Sequence, residues 1–123
     1  MKELTKAEEQ VMQVLWKLNE AFVKDILEEF ENPKPAYNTV STIIRILEKK
    51  GFVGFEAFGK THRYYPLVSK ESYKDQLSKS LISNYFGGSI ENLVSFFAKK
   101  DRLNIEEMDE IMKELKSNRK END

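Results

Sequence analysis

The chain has 123 residues, 40% of them apolar and one third charged, with a net charge of −1, which suits one compact domain or a small domain with a helical appendage. It has no cysteine and a single histidine, His62. That excludes disulfide scaffolds, thiolate chemistry, cysteine-held zinc and iron–sulfur clusters, and leaves no metal or cofactor to expect. No apolar run approaches a membrane span and the opening MKELTKAEEQ lacks the pattern of a secretion signal, so the expected address is the cytoplasm.

The first helix opens at Thr5, with Glu8 three residues on completing a capping box. Ala7, Val11, Leu15 and Leu18 then share one face, and the helix should end near Asn19. A short second helix is expected over 23–30, with Ile26, Leu27 and Phe30 inward, until Pro33 and Pro35 break the pattern. A third helix is expected over 37–50. Its Val40, Ile43, Ile44 and Leu47 follow helical spacing, and Gly51 is placed to end it. Residues 52–58 and 61–67 are rich in aromatic and β-branched side chains, and Gly59-Lys60 between them predicts a hairpin.

Ser69 is placed to cap a further helix that carries Tyr73, Leu77 and Leu81 at four-residue spacing and ends at Gly87-Gly88. Ser89 opens another, with Ile90, Leu93, Val94 and Phe97 on one face. Asn104 and Glu107 form a second capping box for a last helix striped with Met108, Ile111, Met112 and Leu115. The fold class is therefore mainly α with a small β-hairpin: a winged helix-turn-helix over 1–68, then a helical segment over 69–123.

Charge is unevenly spread. Residues 1–35 carry five Lys/Arg against eight Asp/Glu, and residues 101–123 carry the same numbers. Residues 36–65 carry five against two (Arg45, Lys49, Lys50, Lys60 and Arg63 against Glu48 and Glu56), the most basic block, and it coincides with the third helix and hairpin. That is where a winged helix would meet DNA phosphates. The outward face of the third helix reads Asn38, Thr39, Ser41, Thr42, Arg45 and Lys49, and Tyr37 at its start joins them as a candidate DNA contact. Asn can pair with adenine, Thr can pack on a thymine methyl and Arg can fork onto guanine. The same face also suits a solvated helix.

Lys60, His62 and Arg63 are the hairpin's candidate phosphate contacts. His62 reads as an ordinary strand residue in preference to a pH switch or a metal ligand, since no second histidine accompanies it. Tyr64 and Tyr65 must point to opposite faces, so one of them belongs to the core.

The apolar residues after position 69 exceed what so short a segment can bury alone. Leu77, Leu81, Tyr85, Leu93, Val94, Phe97, Met108, Ile111 and Leu115 are the candidate dimer contacts. They could instead fold back on the same chain. Two other functional classes would leave different signatures. A winged helix that binds protein, as an antirepressor does, should expose more apolar residues on the third helix. An enzyme should carry a nucleophile and base, a phosphate loop or a metal cluster, and none is present in the sequence.

Four stretches, LTKAEEQVMQVLW, NTVSTIIRILEKKGFV, HRYYPLVSKESY and FGGSIENLVSFFAKKDRLNIEEMDEI, occur in an order and spacing that resembles the BlaI/MecI group of penicillinase repressors. The resemblance covers nearly the whole chain. It implies a homodimer on palindromic operators of double-stranded DNA, repressing β-lactamase or related resistance genes. It places DNA reading on Asn38, Thr39, Ser41, Thr42 and the wing. It also implies release by proteolysis in the C-terminal helices, set off by a membrane sensor protease. The matching region here is Ser95, Phe96 and Phe97.

The chain departs from that group in three ways. Ile46 stands where Arg is common, with Arg45 one place earlier. The Asn-Phe bond cleaved in staphylococcal members is replaced within Val94-Ser95-Phe96-Phe97. The cysteine-rich site of the copper-responsive relatives has no counterpart.

Overall fold

The computed structural model describes residues 3–101 and 105–122, and in the last helix the side chains of 106, 107, 109–114 and 117. The element order is α1 (Lys6–Leu18), α2 (Val23–Glu28), α3 (Tyr37–Lys49), β1 (Val53–Phe58), β2 (Thr61–Pro66), α4 (Lys70–Tyr85), α5 (Ile90–Asp101) and α6 (Ile105–Asn122). Contacts divide the chain into two units, Met1–Lys74 and Asp75–Asp123. Among the described residues no helix is long and apolar enough to cross a membrane.

The first unit is three helices and a hairpin around one core. At the start of α1, Thr5 Oγ1 accepts from the Glu8 amide at 3.2 Å, and Glu8 Oε1 accepts from the Thr5 amide at 3.0 Å. This is the expected capping box. Val11 and Leu15 are buried as expected, and so is Met12. Ala7, expected inward, is exposed. Its neighbour Glu8 takes the inward position instead, because a second partner waits there. Lys50, the residue that caps the C-terminus of α3, donates to Glu8 Oε1 at 2.5 Å. Burial pushes the Glu8 carboxyl up, but the hydrogen bonds from Lys50 and Thr5 outweigh it and hold the carboxyl below its usual 4.5.

Helix α2 is shorter than expected, ending at Glu28, with Glu29 and Phe30 held in a turn by amide bonds to Ile26 and Leu27 carbonyls. Helix α3 buries Val40, Ile44 and Leu47 completely. It closes with a Schellman turn: Phe52 N–H donates to Leu47 O, Gly51 N–H donates to Glu48 O, and Gly51 sits at φ 84°. The chain then delivers Phe52 and Val53 into the core.

The two strands pair antiparallel, with Phe55 opposite Tyr64 and Glu56 opposite Arg63. Ala21, between α1 and α2, adds a short third rung to β2 through bonds of 2.9 and 2.8 Å with Tyr64. Tyr64 is the tyrosine that enters the core, and Tyr65 lies outward. The Tyr65 ring covers Gly54 so closely that a Cβ there would come within 2.9 Å of it, so a larger residue at this rung would have to displace the exposed Tyr65 ring.

The first unit runs on into α4. Ser69 Oγ caps that helix by accepting from the Ser72 amide. Tyr73, one turn in, is buried. Its hydroxyl accepts from the Leu4 amide at 3.0 Å, and its ring packs at 6.0 Å from Trp16 and edge-on at 5.6 Å from Phe52. Trp16 Nε1 donates to Val68 O. These contacts explain why the first unit reaches Lys74, beyond the expected boundary at 68.

In the second unit Gly87 and Gly88, at φ 59° and 80°, end α4, and Ser89 Oγ caps α5 by accepting from the Asn92 amide. Ile90 and Val94 are buried. Phe86, Phe96 and Phe97 form a chain of edge-on ring contacts. Asn104, expected to cap the last helix, and the side chains of Met108 and Leu115 lie outside the described residues.

Two outcomes test this packing. Trp16 is the sole tryptophan and touches Tyr73, so its fluorescence reports denaturant unfolding of the first unit. Tyr73→Phe should cost about 1 kcal/mol and Tyr73→Ala about 3–5 kcal/mol; equal midpoints for all three proteins would remove Tyr73 as an anchor. For Glu8 the folded-state value is lowered, so its contribution is fully present above the usual 4.5 and is lost as pH falls from there through the folded value. Glu8→Gln should therefore be less stable than the parent at pH 7, with the gap closing as pH falls below 4.5 and through the lowered folded value. A gap that widens on acidification would show the opposite linkage.

Candidate nucleic-acid interface

The rotation of α3 decides what it shows to solvent. With Val40, Ile44 and Leu47 inward and about 100° per residue, Asn38, Thr42, Arg45 and Lys49 fall within about 60° of one another on the opposite side. All four are exposed. Thr39 and Ile46 flank this strip on one side; Ile46 is 39% exposed. Tyr37, Ser41 and Glu48 flank it on the other and face the hairpin, where they line an open cleft of about 580 Å³ with Arg45. Ala36 caps the N-terminus of α3 without a side-chain bond, which leaves its first backbone N–H groups without a side-chain acceptor.

The expected site residues are thus mostly brought together. Tyr37, Ser41, Arg45, Lys60 and His62 line the one cleft, and Asn38, Thr39, Thr42 and Lys49 extend the exposed surface of α3. The His62 ring stacks on Phe55 at 4.2 Å and 12°, with Tyr64 edge-on at 6.1 Å. It is a packed strand residue that lines the cleft.

The cations separate into two sets. Arg45, Lys49 and Lys60 make no ion pair among the described residues. Lys50 is committed to Glu8. Arg63 points to the other face of the hairpin from His62 and Tyr64. There it pairs with Glu20 at 3.4 Å and Glu56 at 3.5 Å and lies 4.7 Å above the Phe58 ring. Arg63, expected as a phosphate contact, thus has its charge partly answered within the protein and lies on the hairpin face away from the cleft.

Two charged residues that sequence spacing did not single out also line the cleft. Lys24 comes from α2, and Glu48 from the hairpin side of α3. Glu48 is close enough to the Tyr64 phenol to add to the effect of burial in raising it, against the opposing influence of Arg45. Lys24 lies in the acidic first third of the chain, and only the tertiary fold carries it beside Arg45 and Lys60.

In the second unit, Leu81, Tyr85, Phe97 and Ile111 are exposed, Tyr85 at 77%, and Leu77 and Leu93 are half-buried. Val94 corrects the expectation for that set. It is 2% exposed in the single chain, so it packs within the protomer and has no surface to offer a partner. Ser95 and Phe96 are exposed.

Comparison with known proteins agrees with this architecture. The penicillinase repressor family matches residues 4–117. The methicillin resistance regulatory protein MecI of Staphylococcus aureus is 33% identical over 110 residues, 89% of each chain. The penicillinase repressor of Bacillus licheniformis is 27% identical over 123 residues, covering 97% of this chain and 96% of its own. Among solved structures, the DNA-binding domain of the repressor BlaI superposes with a TM-score of 0.51 at 26% identity, over 59% of this chain and 94% of its own. With a family match that spans both units, the chain belongs to the penicillinase repressor family.

Proposed function

We propose that this chain, a DNA-binding repressor, acts in the cytoplasm as a homodimer on a palindromic operator and reads each half-site with α3. The observation that carries this reading is the strip Asn38, Thr42, Arg45 and Lys49, exposed together beside the unpaired Lys60 of the hairpin. A helix entering the major groove needs short donors and acceptors near its N-terminus and cations farther along, and the strip has that order. Asn38 and Thr42 meet base edges, Arg45 forks onto a base, and Lys49 and Lys60 meet phosphates. The uncapped N–H groups at the start of α3 add an acceptor-seeking end for the sugar–phosphate backbone.

The dimer is formed by the second unit. Leu81, Tyr85, Phe96, Phe97 and Ile111 are large, apolar and exposed in the single chain, and a two-fold axis would cover each set with its copy. Two linked half-sites bind far more tightly than one. Cleavage near Ser95–Phe97 by a membrane sensor protease would then release the operator by breaking that linkage, leaving α3 untouched. The genes under control are β-lactamase or related resistance genes.

An operator recovered by selection from random duplexes provides the test. Arg45→Ala and Asn38→Ala should each weaken operator binding by about 1–3 kcal/mol per half-site, with binding to random DNA reduced much less. Parental affinity in both variants would remove α3 as the reader. In analytical ultracentrifugation the full chain should sediment as a dimer at micromolar concentration, and Phe97→Glu together with Tyr85→Glu should shift it to monomer with loss of tight operator binding. A full chain that is monomeric while it binds operator tightly would overturn the dimer.

A further inference from the structure

Lys24 is a charged residue of the cleft that the proposed reading leaves without a role. It lies outside the basic block of residues 36–65, on the second residue of α2, and is exposed. It forms no ion pair or hydrogen bond among the described residues. Yet it lines the same 580 Å³ cleft as Arg45 on α3 and Lys60 on the hairpin turn. The cleft has cations on all three of its walls against one carboxylate, Glu48. The flat Phe55–His62 stack also lines it; it cannot offer a bidentate partner to a base edge but can pack against a deoxyribose.

We infer that one sugar–phosphate strand of the duplex runs through this cleft, and that Lys24 grips a phosphate from the side opposite Lys60. The inference rests on α3 being the DNA reader and adds a third contacting element to α3 and the hairpin. A Lys ammonium is a point charge with no directional code, so Lys24 adds affinity without sequence preference. It lets a chain with a net charge of −1 hold a polyanion through a few converging cations. The orientation also explains why Arg63 can be spared to Glu20 and Glu56: the phosphate path lies on the other face of the hairpin, where Lys24 supplies the charge.

The test is the salt dependence of binding by the full-length protein to a random-sequence duplex and to the selected operator. Lys24→Ala should weaken both in the same proportion, by about three- to tenfold at moderate salt, and make the slope of log affinity against log salt shallower by about 0.9 per protomer bound. Lys24→Arg should restore the slope. Lys17→Ala, which removes an exposed lysine paired with Glu29 outside the cleft, should leave it unchanged. A parental slope in Lys24→Ala overturns the inference, as does a loss confined to the operator. Failure of the underlying reading looks different: there Arg45→Ala would keep full operator preference whatever Lys24→Ala does. If Arg45→Ala loses operator preference while Lys24→Ala keeps the parental slope, the inference about Lys24 fails and α3 stands as the reader.

Discussion

Three side chains, Val40, Ile44 and Leu47, leave water together, and their spacing of four and three residues allows α3 only one rotation about its axis. Each of these side chains gains about 1.5–3 kcal/mol on burial. A turn of α3 that exposed them would forfeit several kcal/mol, a large part of what holds a domain of this size. The burial therefore fixes the opposite side as firmly as any direct contact could. Among the described residues Asn38, Thr42, Arg45 and Lys49 make no tertiary bond that orients them, yet they are presented in a constant order because the core behind them cannot rotate. The Schellman turn at Gly51 and the Lys50–Glu8 pair then fix the far end of the helix against α1.

The hairpin is placed by a separate set of constraints that meet α3 across the cleft. Ala21 hydrogen-bonds Tyr64 on both sides, and Tyr64 and Val53 are in the core. The hairpin is thus registered against Ala21, two residues before α2, so that α2, α3 and the hairpin are held as three walls around one opening. Exposed ion pairs such as Arg63–Glu56 contribute little to this by themselves. Their larger effect is to decide which cations remain available. Of the five basic residues in the 36–65 block, two are answered by carboxylates among the described residues and three are not.

Features set by neighbours in sequence were legible without the fold. The Thr5–Glu8 box, the α3 stripe, the Gly51 ending, the Ser69 and Ser89 caps and the opposite facing of Tyr64 and Tyr65 all depend on spacings of a few residues. What escaped was set by distant partners. Ala7 and Glu8 exchange places relative to the simplest helical face because Lys50, 42 residues away, needs a carboxylate there. Helical spacing put Val94 among apolar residues correctly but could not tell a buried residue from one awaiting a partner. The positions of Lys24 and Arg63 also depend on the fold. A block count of charge groups Arg63 with the third-helix cations and Lys24 with an acidic region, whereas strand alternation sets Arg63 on the hairpin face away from His62 and the packing of α2 brings Lys24 to the cleft.

The acidic surroundings of the interface bear on selectivity as much as its cations do. A protein that binds DNA by charge alone is held equally by every stretch of duplex, and the number of such competing stretches is very large. Here the net charge is −1, and Glu48 stands in the cleft itself. On the proposed reading, a phosphate strand seated in register meets Lys24 and Lys60, with Arg45 on a base, and keeps its distance from Glu48. Out of register it gains less from the cations and pays more in repulsion. The difference between those two states, not the sum of attractive contacts, sets the ratio of specific to nonspecific binding. Neutralising Glu48 should accordingly raise affinity for random duplexes more than for the operator. Glu48→Gln, compared with the parent on both duplexes at one salt concentration, reads that difference directly; an equal gain on both would mean that the carboxylate lowers affinity without shaping selectivity.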